Sequence, residues 1–80
     1  MVAHTLWRME TRRKNYRLIV GKNVAKLRSE QGMSLRKFAL MVGMDYTYLC
    51  EIEKGTANAT IDILDKIALG LNVELPELFM

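Results

Sequence analysis

The chain has 80 residues, half of them apolar, with five glycines, one proline, one cysteine and a formal net charge of +3. This length fits one small domain, and the low glycine and proline content argues against disorder and against an all-β fold. We expect no signal peptide or membrane span, because the apolar runs are too short, and a single cysteine excludes an internal disulfide. Such cysteine usage is typical of a protein of the reducing cytoplasm.

The charge is divided between the two halves of the chain. Residues 1–37 carry ten Lys and Arg against two Glu, a net charge of +8, whereas residues 38–80 carry two Lys against seven acids, a net charge of −5. Such a split suggests one face or arm that attracts polyanions, although an uneven solvated surface would give the same counts.

Residues 1–14 end in a basic run, Arg12, Arg13 and Lys14. A flexible basic arm of this kind would add phosphate or minor-groove contacts to DNA. The segment also fits a solvated leader, and alternation over residues 5–11 permits a short strand. Trp7 is unusual in a plain tail, and packing on the domain or on a second subunit would explain it.

The first predicted helix begins after Asn15, a suitable N-cap, and stops at Gly32. Its inward stripe at helical spacing consists of Tyr16, Val20, Val24 and Leu27. Arg28 lies on the same side of the helix, so its charge requires a partner.

Two short helices are predicted next, and a tight turn joins them. Ser34 and Asp45 suit their N-caps, and Gly43 and Gly55 suit left-handed C-terminal positions. Helices of eight or nine residues are not stable alone, so the two must share an apolar seam. Its residues are Phe38, Ala39, Val42, Leu49 and Ile52, with Met44 in the turn. This spacing is typical of a DNA-binding helix-turn-helix, whose second helix lies in the major groove.

A fourth helix is predicted between its cap Thr60 and Asn72, and a short last helix over residues 75–79 with Pro76 in its first turn. The expected inward residues of the fourth helix are Ile61, Leu64, Ile67, Ala68 and Leu71. The C-terminal apolar residues are Leu75, Leu78, Phe79 and Met80. They cover either a dimer interface or the core of their own subunit.

Residues 24–79, about two thirds of the chain, resemble the Cro/repressor (Xre-type) family of helix-turn-helix proteins. The matching residues, at family spacing, are Arg28, Ser34, Ala39, Gly43, Leu49, Glu53, Gly55, Leu64, Ile67 and Ala68. The resemblance implies an all-α, five-helix, lambda-repressor-like DNA-binding domain, which we expect over residues 15–80. Residues 1–14 match nothing in the family and are expected to be the basic N-terminal arm or leader. The Asp-x-Thr-Tyr motif at residues 45–48 resembles the sequence at the same place in restriction–modification controller proteins.

The resemblance also implies which residues of the third helix read bases. They are Tyr46, Thr47, Cys50 and Glu51. Thr47 can touch a thymine methyl group, and Glu51 can accept a hydrogen bond from cytosine N4. Tyr46 replaces an Arg that is common in the controller subgroup, and this face has no Arg or Gln for the usual bidentate base contact.

The helix before it is expected to hold the DNA backbone. Arg36 and Lys37 stand in its first turn beside free backbone N–H groups, where helices usually carry acids. The phosphate-binding Gln of the family is Leu35 here. The expected phosphate contacts are Ser34, Arg36, Lys37, Tyr48, Lys54, Arg12, Arg13 and Lys14. For the tyrosines, packing at the helix edge is the alternative.

Two further expectations follow from the resemblance. The family arginine at Arg28 pairs with the acid at Glu53, which ties the first helix to the third. The family commonly dimerises through its C-terminal region, and a twofold dimer would place two recognition helices about 34 Å apart.

Together these features predict a sequence-specific transcriptional regulator that binds double-stranded DNA as a homodimer, without cofactor, metal or small-molecule ligand. The alternative is a protein-interaction module on the same fold, antitoxin-like or an adaptor, because the loop at residues 55–59 lacks cations and the second half is acidic. An enzyme is disfavoured, since His4 lies in the arm and no metal-ligand spacing or phosphate loop occurs.

Overall fold

The structure, a computed structural model, describes residues 14–80 of the chain. Its elements are α1 (Tyr16–Glu30), α2 (Leu35–Val42), α3 (Tyr46–Lys54), α4 (Ile61–Leu71) and a 3-10 helix (Leu75–Phe79). The predicted all-α class is confirmed over this part of the chain. Residues 1–13 of the expected N-terminal arm, with Trp7, Arg12, Arg13 and the permitted strand, lie outside the described residues.

The last element differs from the predicted fifth α-helix. It has five residues, begins with Leu75-Pro76, and is a 3-10 helix. In so short a segment an i→i+3 bond, such as that from the Glu77 N–H to the Glu74 carbonyl at 3.0 Å, closes where an α-helical ladder has no room. The side chain of Glu77 also accepts from the Glu74 N–H at 2.7 Å, which holds the start of this turn.

Side-chain caps start all four α-helices within residues 14–80. The capping residues are Asn15, Ser34, Asp45 and Thr60, and each accepts from the backbone N–H three residues later at 3.1–3.2 Å. Three helices end at a residue with positive φ: Gly43 at 67°, Gly55 at 77° and Asn72 at 59°. The local sequence therefore determines the helix bounds, as the cap residues predicted.

One apolar core joins the helices. α1 packs most extensively on α3 and on the 3-10 helix, and α2 packs on α3 and α4. The fully buried large side chains are Val24, Phe38, Leu49, Ile67, Leu71 and Leu78. None of the helices in residues 14–80 is both long and apolar enough to cross a membrane.

Three residues lie differently from their predicted positions. Leu78, expected at a dimer interface, is completely buried in its own subunit, and its carbonyl accepts from the Asn23 side chain at 2.8 Å. Tyr16 and Ile61, expected to face inward, are 49% and 61% exposed. Each is the first residue of its helix, where the core below has already ended, and helical spacing alone does not show that limit.

Gly21 lies where α1 and α3 approach most closely. A Cβ atom there would stand 2.5 Å from the carbonyl oxygens of both Ile52 and Glu53, which is closer than van der Waals contact. Because these oxygens belong to the backbone of α3, a side chain at this position would push α3 away from α1.

We therefore expect Gly21→Ala to lower the free energy of unfolding by about 1–3 kcal/mol. The sign is informative, because glycine to alanine within an unobstructed helix stabilises by roughly 0.5–1 kcal/mol. Urea unfolding followed by circular dichroism measures the change. Ser29→Ala, at an exposed position of the same helix, is the control and should shift stability by less than about 0.5 kcal/mol. A Gly21→Ala protein as stable as the wild type would contradict the close approach.

Candidate nucleic-acid interface

The outward side of α3 carries the residues expected to read bases. Leu49 and Ile52 anchor the helix in the core, while Tyr46, Thr47 and Glu51 are exposed on its other side. Cys50 is partly buried, so its thiol has less access than the other three side chains. Residues four apart share a helix face, so Thr47 and Glu51 lie together on the surface.

The start of α2 presents positive charge without a compensating acid. Its first turn contains no acidic residue, and Arg36 and Lys37 are both exposed. Ser34 Oγ accepts from the Lys37 N–H at 3.1 Å, which occupies the hydroxyl oxygen but leaves its hydrogen available to an anion. The N–H groups of Leu35 and Arg36 have no partner within the helix, so this end suits a phosphate.

A contact between α2 and α3 joins two expected roles. The guanidinium carbon of Arg36 lies over the ring of Tyr46, 4.4 Å from the ring centroid. Arg36 was expected at a phosphate and Tyr46 at a base, and sequence reasoning did not place them together. No local pattern links residues ten positions apart in different helices. Only the crossing of α2 and α3 brings them into contact.

The remaining expected phosphate residues are dispersed. Lys54 is exposed at the C-terminal end of α3 and Lys14 is exposed before α1, while Arg12 and Arg13 lie outside the described residues. Tyr48 is partly buried and packs against the core, which matches the alternative of packing at the helix edge. Its hydroxyl is therefore a weaker candidate for a phosphate contact than the exposed cations.

The expected ion pair between Arg28 and Glu53 is present and is bidentate. Arg28 Nε donates to Glu53 Oε2 at 2.7 Å and Nη2 donates to Oε1 at 3.0 Å. Arg28 Nη1 also donates to the carbonyl oxygen of Met33 at 2.7 Å. The side chains of Arg28 and Glu53 are only 16% and 11% exposed. This network links α1, the turn before α2, and α3.

The environment of Arg28 keeps it protonated. The hydrogen bond to the Glu53 carboxylate raises the pKa of Arg28 above its ordinary value, burial acts in the opposite direction, and the negative charge of Glu53 raises it further. The arginine is thus a permanent cation on the inner side of α3, where its ion pair with Glu53 ties this helix to α1.

The loop after α3 has little to offer a phosphate. Its residues 55–59 contain no Lys or Arg, and Thr56 Oγ1 donates back to the carbonyl of Glu51 at 3.2 Å. Within residues 14–80, no group of three or more His, Cys, Asp or Glu side chains is placed to hold a metal ion.

An apolar cavity of about 190 Å³ lies on another side of the domain, between α1, the loop at residues 55–59 and the 3-10 helix. Tyr16, Ile61 and Phe79 line it, and the Tyr16 and Phe79 rings are tilted with their centroids 6.1 Å apart. Sequence reasoning missed this cavity, since it took Tyr16 and Ile61 for core residues. Their positions at the first turn of each helix were the available signal.

Comparisons with known proteins identify the family of this chain. The Helix-turn-helix family model matches residues 24–78. Control protein C.BamHI of Bacillus amyloliquefaciens is 37% identical over 65 residues, which cover 80% of each chain. Control protein C.MunI of Mycoplasma sp is 40% identical over 60 residues, 74% of this chain and 81% of that protein. The crystal structure of the restriction-modification controller protein C.AhdI from Aeromonas hydrophila matches with a TM-score of 0.75 at 30% identity, over 79% of this chain and 96% of that one.

Proposed function

We propose that this chain, which belongs to the helix-turn-helix family, binds operator DNA as a homodimer through α3. The chain is a DNA-binding transcription regulator rather than an enzyme, and the proposal proceeds from that. The supporting observation is the two-sided character of α3. Leu49 and Ile52 hold one side in the core, and the other side leaves Tyr46, Thr47 and Glu51 uncovered. A helix held in this way can enter the major groove and present side chains to base edges.

Base selection on this proposal comes from the outward residues of α3. Thr47 contacts a thymine methyl group or a base edge, and Glu51 accepts from cytosine N4. Tyr46 stands at the N-terminal end of the helix, and Cys50 lies between the groove and the core. Of these four side chains, Tyr46, Thr47 and Glu51 are exposed and free to contact bases.

The DNA backbone contacts come from the start of α2 and from scattered cations. Arg36, Lys37 and the Ser34 hydroxyl surround the positive end of α2, and Lys54 lies at the far end of α3. The basic residues 12–14 extend the charge before α1. Contacts of this type set orientation on the duplex and carry no sequence information themselves.

The dimer on this proposal uses the C-terminal surface without Leu78. Leu75 and Phe79 are partly buried in their own subunit, and Met80 is 89% exposed, so a second subunit can still cover apolar area there. A twofold arrangement would place the two α3 helices about 34 Å apart, one turn of DNA.

Two observations support the narrower role of a restriction–modification controller in the cytoplasm. Two relatives are named as control proteins, and residues 45–48 of this chain carry the Asp-x-Thr-Tyr motif.

The salt dependence of DNA binding tests the interface. We expect the affinity for random duplex to fall steeply with salt, and Lys37→Ala to reduce the slope of log K against log salt by about one unit. Lys66→Ala is the matched control. Lys66 belongs to α4 and its Nζ lies near Gly43, at the opposite end of α2 from Lys37. Its removal should leave the slope unchanged.

Binding that is indifferent to salt, or equal for the two variants, would contradict this interface. It would favour the second candidate, a protein-interaction module on the same fold, which the cation-free loop at residues 55–59 supports. In contrast, Glu51→Ala should change which duplex is selected from a random pool and leave the salt slope as it is.

A further inference from the structure

We propose that Arg36 reads a guanine in the major groove and that Tyr46 positions it there. This inference rests on the proposed function, because it requires α3 to enter the groove. It assigns Arg36 a base-reading role in place of the phosphate contact that its position in the first turn of α2 suggested.

The cation of Arg36 lies against the first residue of α3. Arg36 belongs to α2, but its guanidinium carbon lies 4.4 Å from the centroid of the Tyr46 ring, over the ring. Tyr46 is the first residue of α3, and recognition helices contact base edges with their N-terminal residues. The stacking therefore places the positive charge of Arg36, a residue of α2, at the N-terminal end of α3, which would face the bases.

The N–H donors of Arg36 remain available for a ligand. A guanidinium that stacks on an aromatic ring uses its face, while its N–H donors point outward in its own plane. Within residues 14–80 the ion pair present is that of Arg28 with Glu53, and Arg36 donates no hydrogen bond to another described side chain or backbone group. The fork of Arg36 is thus available for a planar, bidentate acceptor.

The outward side of α3 has no side chain of its own that can donate two parallel hydrogen bonds to guanine. Thr47, Cys50 and Glu51 include no cation or amide, so none of them can bind guanine O6 and N7 with two parallel donors. The Arg36 guanidinium supplies that group from the neighbouring helix. A phosphate contact would need only the charge, whereas the ring of Tyr46 also fixes the plane of the guanidinium, which is what base recognition requires.

Selection of duplexes from a random pool tests the inference. Wild-type protein should prefer guanine at one position of each half-site, by roughly tenfold or more over the other bases. Arg36→Ala should lose that preference because it removes the donors, Arg36→Lys should weaken it because an ammonium lacks the planar fork that stacks on the ring, and Tyr46→Leu should lose it although Arg36 remains. Tyr46→Phe keeps the ring and should retain the preference. Both positions are exposed, so these variants should fold, which circular dichroism checks.

A modified base makes the test specific to the atom. Replacing the selected guanine by 7-deazaguanine removes the N7 acceptor, so binding of the wild type should weaken several-fold while binding of Arg36→Ala should not change. Lys37→Ala is the matched control. It should lower the affinity for all duplexes alike and remain sensitive to 7-deazaguanine.

The outcomes separate the two proposals. If Arg36→Ala lowers the affinity for every duplex equally and keeps the selected sequence, Arg36 is a phosphate contact and the inference is overturned, while the proposed function stands. If the wild type selects no sequence and binds DNA without dependence on salt, the proposed function fails, and the inference fails with it.

Discussion

Glu53→Ala should lower the free energy of unfolding by about 3 kcal/mol, among the largest effects of any single charge in this protein. The change leaves the Arg28 guanidinium, whose side chain is only 16% exposed, with the Met33 carbonyl as its remaining partner. Burying an unpaired cation costs more than the ion pair contributes as a pair, so loss of one partner is worse than loss of both. Urea unfolding at fixed salt measures the effect.

A double replacement separates the pair from the charge. Arg28→Met combined with Glu53→Leu removes both charges and keeps apolar volume, and we expect it to be more stable than Glu53→Ala by about 1 kcal/mol or more. Glu51→Ala, an exposed carboxylate in the same helix, should change stability by less than about 0.5 kcal/mol. If Glu53→Ala behaved like Glu51→Ala, the pair would act as an ordinary surface ion pair despite its burial.

The ion pair also has a functional consequence. Because the network of Arg28 joins α1 and the turn before α2 to α3, the double replacement frees α3 to shift while the fold persists. We expect that protein to bind random duplex as the wild type does but to discriminate less between operator and random sequence, since base contacts need a fixed helix and phosphate contacts need mainly charge.

Leu78→Ala should lower the free energy of unfolding by about 2–5 kcal/mol, the range for truncation of a buried leucine. Leu78 is the fully buried residue of the 3-10 helix, and this helix packs against α1 and α4, so truncation of its side chain leaves a cavity inside the subunit. Because the site is intramolecular, the loss should be the same at low and high protein concentration, which urea unfolding over a hundredfold concentration range measures.

The neighbouring Met80 is the control for this prediction. Met80 is 89% exposed in the single chain, so Met80→Ala should leave the stability of the subunit unchanged. If the C-terminal surface forms the dimer, the same change should weaken dimerisation in analytical ultracentrifugation. A Leu78→Ala effect that appears only at concentrations where the protein dimerises would return Leu78 to the interface.

The features that sequence reasoning obtained correctly are local ones. Ser34, Asp45 and Thr60 cap helices because their short side chains reach a backbone N–H three residues away, and this needs no knowledge of the rest of the chain. Helical spacing likewise identified Phe38 and Leu49 as core, because a short amphipathic helix has only one apolar side to bury. The resemblance to the family also rests on such spacing, so it predicted which side of α3 faces outward.

What only the tertiary structure decided depends on how the helices cross. Leu78 became core, and Tyr16 and Ile61 became surface, because the limits of the packed layer depend on neighbouring elements rather than on spacing. The contact of Arg36 with Tyr46 joins two helices whose crossing no local pattern encodes. The sequence by itself therefore determined the helices, their caps and most of the core, since short-range forces set these. The arrangement of the charges around α3 required the packing of the whole domain.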